Sequence, residues 1–272
     1  MQDRVSLSIA NLIGKTAFLR LPAACDMLVF ARPCHPGTMS EPTLSGTFQL
    51  DRSRSASVQV YEHLRELIVT LALPPGATLS RTELAEYFNV SLTPVRDALS
   101  RLDEERLVEV FPQHVTRVRA VDLQSARESQ FLRLSVELEV VHMLAQEPNP
   151  SLASTLLGLI ARQQDYLKHG DLANFTAIDL ELHKAMYQAA GIANLWQRIR
   201  AGSGNLDRLR RLHLPVNGKA QSILQQHTEI AYAIARGDPV QAQAWVRKHL
   251  SGTLSELDAL RSRYPDFLLP IQ

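Results

Sequence analysis

Four side chains in the C-terminal half of the chain have the types and spacing of a metal site. Asp179 and His183 lie four residues apart in the segment AIDLELHKAM, so a helix would place both on one face. His227 precedes a Gly-Asp turn by about 10 residues, and His249 follows it by about 10, so two antiparallel helices would bring both to a similar depth. Three imidazoles and one carboxylate suit a divalent ion such as Zn²⁺ or Ni²⁺. Histidines are also common on helix surfaces that bind no metal, so the spacing alone does not distinguish a metal site from ordinary surface histidines.

The elements that must hold these side chains are helices. Residues 122–265 carry no strand signal, and their periodicity predicts helices near 123–146, 150–168, 171–189, 192–213, 218–236 and 239–263. Capping residues and glycines mark the helix ends: Asp122, Asn149 or Ser151, Asp171, Gly170, Gly191 and Gly237. The short connections predict an all-α antiparallel bundle of six to seven helices.

The pattern of residues 55–121 predicts a winged helix-turn-helix. Together with the helical segment that follows, it predicts a mainly α fold class. A helix whose apolar face includes Val60 and Leu64 stops at a Pro-Pro-Gly sequence. A short helix from Ser80 or Arg81 then reaches Asn89, a residue type that tolerates the left-handed turn conformation. A second helix follows, and strands at 107–110 and 115–121 form a β-hairpin wing bridged by residues 111–114.

The second helix of this unit has the pattern of a DNA recognition helix. Ser91, or Thr93 before a proline, can cap it. Its apolar residues face inward, which turns Arg96 and Asp97 outward. Residues 54–120 contain 8 arginines and 9 acidic residues, so affinity for phosphate must come from where the arginines lie rather than from bulk charge.

Composition restricts the remaining possibilities. The chain has 272 residues, 45 % hydrophobic and 21 % charged, which excludes a wholly disordered protein. No apolar run approaches the ~18 residues of a membrane span, so no membrane partner is expected. The two cysteines lie in residues 1–54, so the rest of the chain suits a reducing, cytoplasmic setting. We interpret residues 1–54 as a disordered or mis-started extension, with Met39 as an alternative start. Residues 266–272 are interpreted as a tail.

The N-terminal unit resembles the GntR family of bacterial transcriptional regulators. The matching residues are VSLTPVRDAL at 90–99 and PQHVTRV at 112–118. The chain departs from the family pattern at Leu92, where an arginine is usual, at Val115 and at Arg106, where glycines are usual. The resemblance implies DNA contacts from the start of the preceding helix, from the recognition helix with its cap, and from the wing: Arg81, Thr82, Ser91, Thr93, Arg96, Gln113 and His114. The operator sequence does not carry over, because Leu92 cannot form the bidentate guanine contact of arginine.

The helical part is similar to the FadR-type C-terminal domain, called FCD, found in one branch of that family. Many such domains bind a metal through an Asp-x3-His pair and two later histidines, which implies a metal at Asp179, His183, His227 and His249. Arg133 and Glu137 match the family's R-x-x-x-E. Arg133 could therefore contact a carboxylate effector, or it could simply pair with Glu137 within one helix.

These observations predict a ligand-responsive regulator rather than an enzyme. A homodimer would bind a pseudo-palindromic double-stranded DNA operator, controlled by a small organic acid at the metal-containing pocket of an effector and dimerisation domain, residues 122–265. One alternative is a metal sensor in which the ion itself is the signal. Another is a metal-dependent hydrolase carrying a DNA-binding module, which would need a general base near the ion. Glu181 points away from Asp179 and His183, so it cannot serve as that base.

Overall fold

The computed structural model describes residues 48–111 and 115–268, so the predictions for residues 1–47, for the wing tip at 112–114 and for 269–272 lie outside the described residues. The N-terminal part is a winged helix-turn-helix, as predicted. Its elements are α1 (Ala56–Val69), β1 (Thr78–Leu79), α2 (Arg81–Phe88), α3 (Leu92–Glu104), β2 (Val108–Val110) and β3 (Thr116–Val118).

The turn between α2 and α3 follows the predicted residue preferences. The side chain of Ser80 accepts a hydrogen bond from the Glu83 amide and so caps α2. Asn89 ends that helix in the left-handed conformation, with φ at 50° and ψ at 53°. Ser91 occupies the cap position of α3, although its side chain makes no capping hydrogen bond. The apolar face of α3 packs inward through Val95, so the polar face of α3 points outward.

The described strands form an antiparallel sheet in the order β1-β3-β2, with Val108 opposite Val118 and Thr78 opposite Arg117. The sequence did not predict β1, because two residues are too few to show alternation. Arg106, at a usual glycine position of the family, adopts a positive φ of 56° before β2. An arginine there keeps the turn at some conformational cost.

Residues before position 55 also pack on the N-terminal unit. The Phe48 amide donates to the Tyr87 carbonyl, and the Phe48 ring lies 4.4 Å from the ring of His63 and 5.3 Å from that of Phe88. Residues 48–54 therefore pack on α1 and α2.

The C-terminal part is all helical, as predicted, and two of the predicted helices are broken. The helices are α4 (Leu123–Gln146), α5 (Pro150–Lys168), α6 (Leu172–Ala189), α7 (Ala193–Ala201), α8 (Gly204–His213), α9 (Lys219–Ala235), α10 (Pro239–Ser251) and, after a 3-10 turn at Leu254–Glu256, α11 (Leu257–Arg263). The predicted helix 192–213 is interrupted at Gly202 and Ser203, and the predicted helix 239–263 at Gly252. Glycine weakens a helix interior, and packing decides whether the helix continues.

The bundle is organised around α4, which packs against α6, α8, α9 and α10. Its apolar core includes Val140, Leu182, Met186, Ile230 and Val246, each almost fully buried. This packing places α6, α9 and α10 around one interior position. No helix in the described ranges is both long enough and apolar enough to cross a membrane.

Helix α8 also fixes the junction between the two parts. The buried Arg208 guanidinium donates to the carbonyls of Arg119 and Ala120, at 2.6 and 3.4 Å, and to Asn205 Oδ1 at 2.6 Å. The amide of Val121 donates to the Phe267 carbonyl, and Leu268 is buried beside it. Residues 266–268, predicted to belong to a tail, therefore pack on the segment that joins the two parts.

Candidate metal centre and nucleic-acid interface

The structure brings the four predicted metal ligands together. Helix α6 carries Asp179 and His183 one turn apart, α9 carries His227 and α10 carries His249. All four side chains are buried, and one potential ligand atom from each lies within 4.8 Å of the others. Such a cluster of polar groups in a bundle interior needs compensating partners.

Three distances within this cluster are those of atoms that bind one ion. Nε2 of His249 lies 3.2 Å from Nε2 of His183 and 3.3 Å from Nε2 of His227. Nε2 of His227 lies 3.4 Å from Oδ1 of Asp179. Ligand atoms bound at about 2.0–2.1 Å to a tetrahedral Zn²⁺ would be about 3.3–3.4 Å apart.

Partners of the opposite ring nitrogens fix how the three imidazoles face one another. Nδ1 of His227 lies 2.8 Å from Oε1 of Gln163, and Nδ1 of His249 lies 3.1 Å from Oε1 of Gln226. Nδ1 of His183 lies 2.7 Å from the Glu137 carboxylate, an ion-pair distance at an angle poor for a hydrogen bond. Each Nδ1 faces an acceptor oxygen, which favours a proton on that nitrogen; in His227 and His249 this fixes the tautomer of the ring.

That tautomer leaves a bare lone pair on Nε2 of His227 and of His249. These two lone pairs, 3.3 Å apart, cannot hydrogen-bond to each other, whereas one cation would satisfy both, and Nε2 of His183 lies 3.2 Å from Nε2 of His249. Oδ1 of Asp179 is buried and has no hydrogen-bond partner among the described residues, which a cation would also supply. The residues present thus fit a divalent ion, and their donors are those that Zn²⁺ or Ni²⁺ accepts.

Electrostatics hold the ligands in the required protonation states. Burial lowers the pKa of His227 to about 3 and that of His249 well below its usual value, so both imidazoles are neutral at pH 7. Burial alone would raise the pKa of Asp179, but the Arg210 guanidinium 2.7 Å away, helped by the imidazoles, holds that pKa well below its ordinary value. Asp179 is therefore an anion at neutral pH.

Arg133 pairs with Glu137 in the structure, which is one of the two roles expected of it. Nε of Arg133 donates to Oε1 of Glu137 at 2.6 Å within α4, and both side chains are buried. Burial would raise the pKa of Glu137, but Arg133 and then His183 outweigh it and lower that pKa to about 2. Nη2 of Arg133 is buried without a partner among the described residues, and the side chain lines a cleft beside the cluster.

The sequence did not indicate two other residues of this cleft, Arg210 and Lys219. It also did not indicate the glutamines behind the histidines, Gln163 and Gln226. They come from α5, α8 and α9, and no spacing within one helix shows that these residues converge. Glu181, excluded as a base from its position, is exposed and pairs with Arg162 at 3.2 Å.

The predicted DNA-contacting residues lie on the free surface of α2 and α3. Thr82, Ser91, Thr93 and Arg96 are exposed, and Arg81 is half-buried. Gln113 and His114 lie outside the described residues. Leu92 is 41 % exposed on the same surface, so an apolar side chain stands where the family usually has arginine.

The fold and these surfaces define a class of protein, a DNA-binding transcriptional regulator with a helical C-terminal domain. Residues 56–118 match the family "Bacterial regulatory proteins, gntR family", and residues 128–252 match the FCD domain. The chain belongs to the GntR family and carries an FCD domain.

Curated relatives agree with this assignment. An uncharacterized HTH-type transcriptional regulator in an unstable DNA locus of Streptomyces ambofaciens is 37 % identical, over 76 % of this chain and 87 % of that protein. The HTH-type transcriptional repressor RspR of Escherichia coli K12 is 26 % identical, over 80 % of this chain and 96 % of that protein. These names describe regulators of transcription and not enzymes, so the hydrolase alternative is set aside.

Solved structures support the fold. E. coli McbR/YncC superposes with a TM-score of 0.64 at 22 % identity, covering 78 % of this chain and 99 % of that one. A putative GntR regulator from Rhodococcus sp. RHA1 superposes with a TM-score of 0.63, also at 22 % identity, covering 76 % of this chain and 99 % of that one.

Proposed function

We propose that the protein is a homodimeric regulator that binds a pseudo-palindromic operator and responds to a small organic acid at a metal-containing pocket. Residues 55–121 would bind DNA, and residues 122–265 would bind the effector and form the dimer. The metal would be Zn²⁺ or Ni²⁺, held by Asp179, His183, His227 and His249.

The convergence of three Nε2 atoms on one buried carboxylate oxygen carries this proposal. Without a cation the lone pairs would oppose one another in the bundle interior, at a cost that folding would have to overcome. A divalent ion that takes five or six ligands would keep open coordination positions for a carboxylate besides the four protein atoms. The protein residues would hold that ion and orient the effector.

The cleft beside the cluster supports an anionic effector over a metal-only signal. Arg133 offers a buried Nη2 without a partner among the described residues, and Arg210 and Lys219 line the same space. A carboxylate accepting from a guanidinium forms a charge-assisted hydrogen bond, roughly twice as strong as a neutral one. Arg133 would thus pair with Glu137 through Nε and with the effector through Nη2.

Helix α8 supports a route from this pocket to the DNA-binding part. Arg210 contacts Asp179, and two residues earlier Arg208 holds the carbonyls of Arg119 and Ala120. An effector that changes the position of Arg210 would also act on the segment between the two parts. It would shift the protein between geometries only if it binds one of them more tightly.

The test begins with selection of bound DNA fragments from the parent genome, which identifies an operator. Operator affinity is then measured for metal-free protein, for protein with Zn²⁺ or Ni²⁺ alone, and for metal-loaded protein with a panel of small organic acids. The proposal expects an acid to change operator affinity only when metal is present. A full response to metal alone would instead identify a metal sensor.

A further inference from the structure

The cleft beside the histidine cluster holds more positive charge than its own carboxylates balance. Arg133, Arg210 and Lys219 line it together with His249. Arg133 pairs with Glu137, and Arg210 pairs with Asp179 at 2.7 Å. These two ion pairs leave Lys219 as the remaining cation of the cleft.

Lys219 has no ion pair or side-chain hydrogen bond among the residues that the structure describes. Its ammonium lies at the C-terminal end of α10, 2.9 Å from the position that a β-carbon on Gly252 would occupy. The side chain is half-buried, and burial followed by the positive charge of Arg210 lowers its pKa, although Glu256 and Asp179 act the other way. An ammonium in this environment gains from an anionic partner.

The helix that carries Lys219 gives no reason for a lysine at this position. Lys219 is the first residue of α9, where a positive charge opposes the helix dipole. Its backbone amide bonds to the Val216 carbonyl, which any non-proline residue could do. Replacing its side chain should therefore leave α9 intact.

The pairing of these cations indicates how many acid groups the cleft can accept. Arg133 pairs with Glu137, and Arg210 pairs with Asp179 and lies 4.0 Å from Asp207, whereas Lys219 has no carboxylate partner among the described residues. A single carboxylate on the effector would leave Lys219 unpaired. The enclosed part of the cleft is small, which limits the effector to a short molecule.

We infer that the effector is a short dicarboxylate, with one carboxylate directed to the metal and Nη2 of Arg133 and the other to the ammonium of Lys219. This inference rests on the proposed function, because it assumes an acid bound at the metal-containing pocket. It goes further by naming the ligand class and the residue that selects it.

The test compares dicarboxylates with monocarboxylates of the same carbon number. Malonate and propionate, and succinate and butyrate, are titrated by calorimetry into Zn²⁺-loaded full-length protein, and metal content is measured after each titration to exclude chelation by the acids. The variant is Lys219→Met, which keeps the aliphatic stem. The control is Lys184→Met, on the exposed face of the helix that carries Asp179 and His183.

We expect the better dicarboxylate to bind wild type and Lys184→Met about tenfold more tightly than its matched monocarboxylate, the value of one hydrogen bond to a charged group. In Lys219→Met this preference should fall to about twofold or less. Equal affinity for both acid types, or a preference that survives Lys219→Met, would overturn the dicarboxylate assignment while leaving the proposed function standing. If no acid of either type binds, the proposed effector pocket fails as well.

Discussion

Replacing Gln163 by leucine tests whether the glutamines behind the histidines prepare a metal site. Oε1 of Gln163 accepts from Nδ1 of His227, and this contact fixes the tautomer that leaves Nε2 free. Gln163 is fully buried, and leucine has a similar size, so the packing between α5 and α9 should survive. Loss of such a partner behind a metal-ligating histidine typically weakens metal affinity by about 10–100-fold.

The consequence for stability can be calculated. At free metal 100 times the wild-type Kd, binding stabilises the folded state by about 2.7 kcal/mol. With affinity weakened 10–100-fold, the same metal concentration contributes only about 1.4–0.4 kcal/mol. The metal-dependent part of the free energy of unfolding thus falls by about 1.3–2.3 kcal/mol, or about 3–9 °C in Tm for a protein of this size.

Thermal unfolding of wild type, Gln163→Leu and the exposed neighbour Gln164→Leu, each with chelator and with Zn²⁺, separates this effect from a general loss of stability. We expect the Tm gain on adding metal to shrink in Gln163→Leu and to remain in Gln164→Leu. An undiminished gain in Gln163→Leu would refute the assignment of the tautomer and the role of Gln163.

Other predictions concern the DNA surface, pH and the C-terminal segment. Arg96→Ala should weaken specific operator binding by roughly 1–3 kcal/mol in a titration, with metal content unchanged; wild-type affinity would mean that α3 does not read DNA. Burial lowers the pKa of His213 to about 4, so the unfolded state gains its proton first and stability should fall as pH drops from about 6.5 toward 4. His213→Leu should flatten this slope in urea titrations, and an unchanged slope would assign it to other groups. Ending the chain after Arg263 removes the buried Leu268 and its contact with the joining segment, which should cost about 1.5–3 kcal/mol of stability; an unchanged Tm would show that this contact is unimportant.

The fold was predictable wherever a signal lies within one element. The predicted and observed bounds of α4 and α5 coincide, because Asp122 and Asn149 cap their first turns by hydrogen bonds to backbone amides. The breaks after α7 and α10 were not predicted. Apolar periodicity continues through both, and only tertiary packing selects a break at a glycine.

The candidate site was likewise predictable only where its residues belong to one helix or to two helices joined by one turn. Asp179 and His183 share a helix face by spacing, and a single turn relates His227 to His249. The residues that orient or charge the pocket come from other helices, as Gln163 on α5 and Arg210 on α8 illustrate. Their contacts depend on how the bundle closes, which the resemblance to a family did not specify for these positions.

Metal analysis of the purified protein tests directly whether Asp179, His183, His227 and His249 hold a divalent ion. Wild type, His227→Ala, His249→Ala and the control His169→Ala, an exposed histidine at the end of α5, are loaded with Zn²⁺ or Ni²⁺, desalted and analysed by mass spectrometry of the bound element. We expect about one ion per chain in wild type and in His169→Ala, and little in the other two variants. No bound ion in the wild type, or equal metal content in all four proteins, would contradict this expectation.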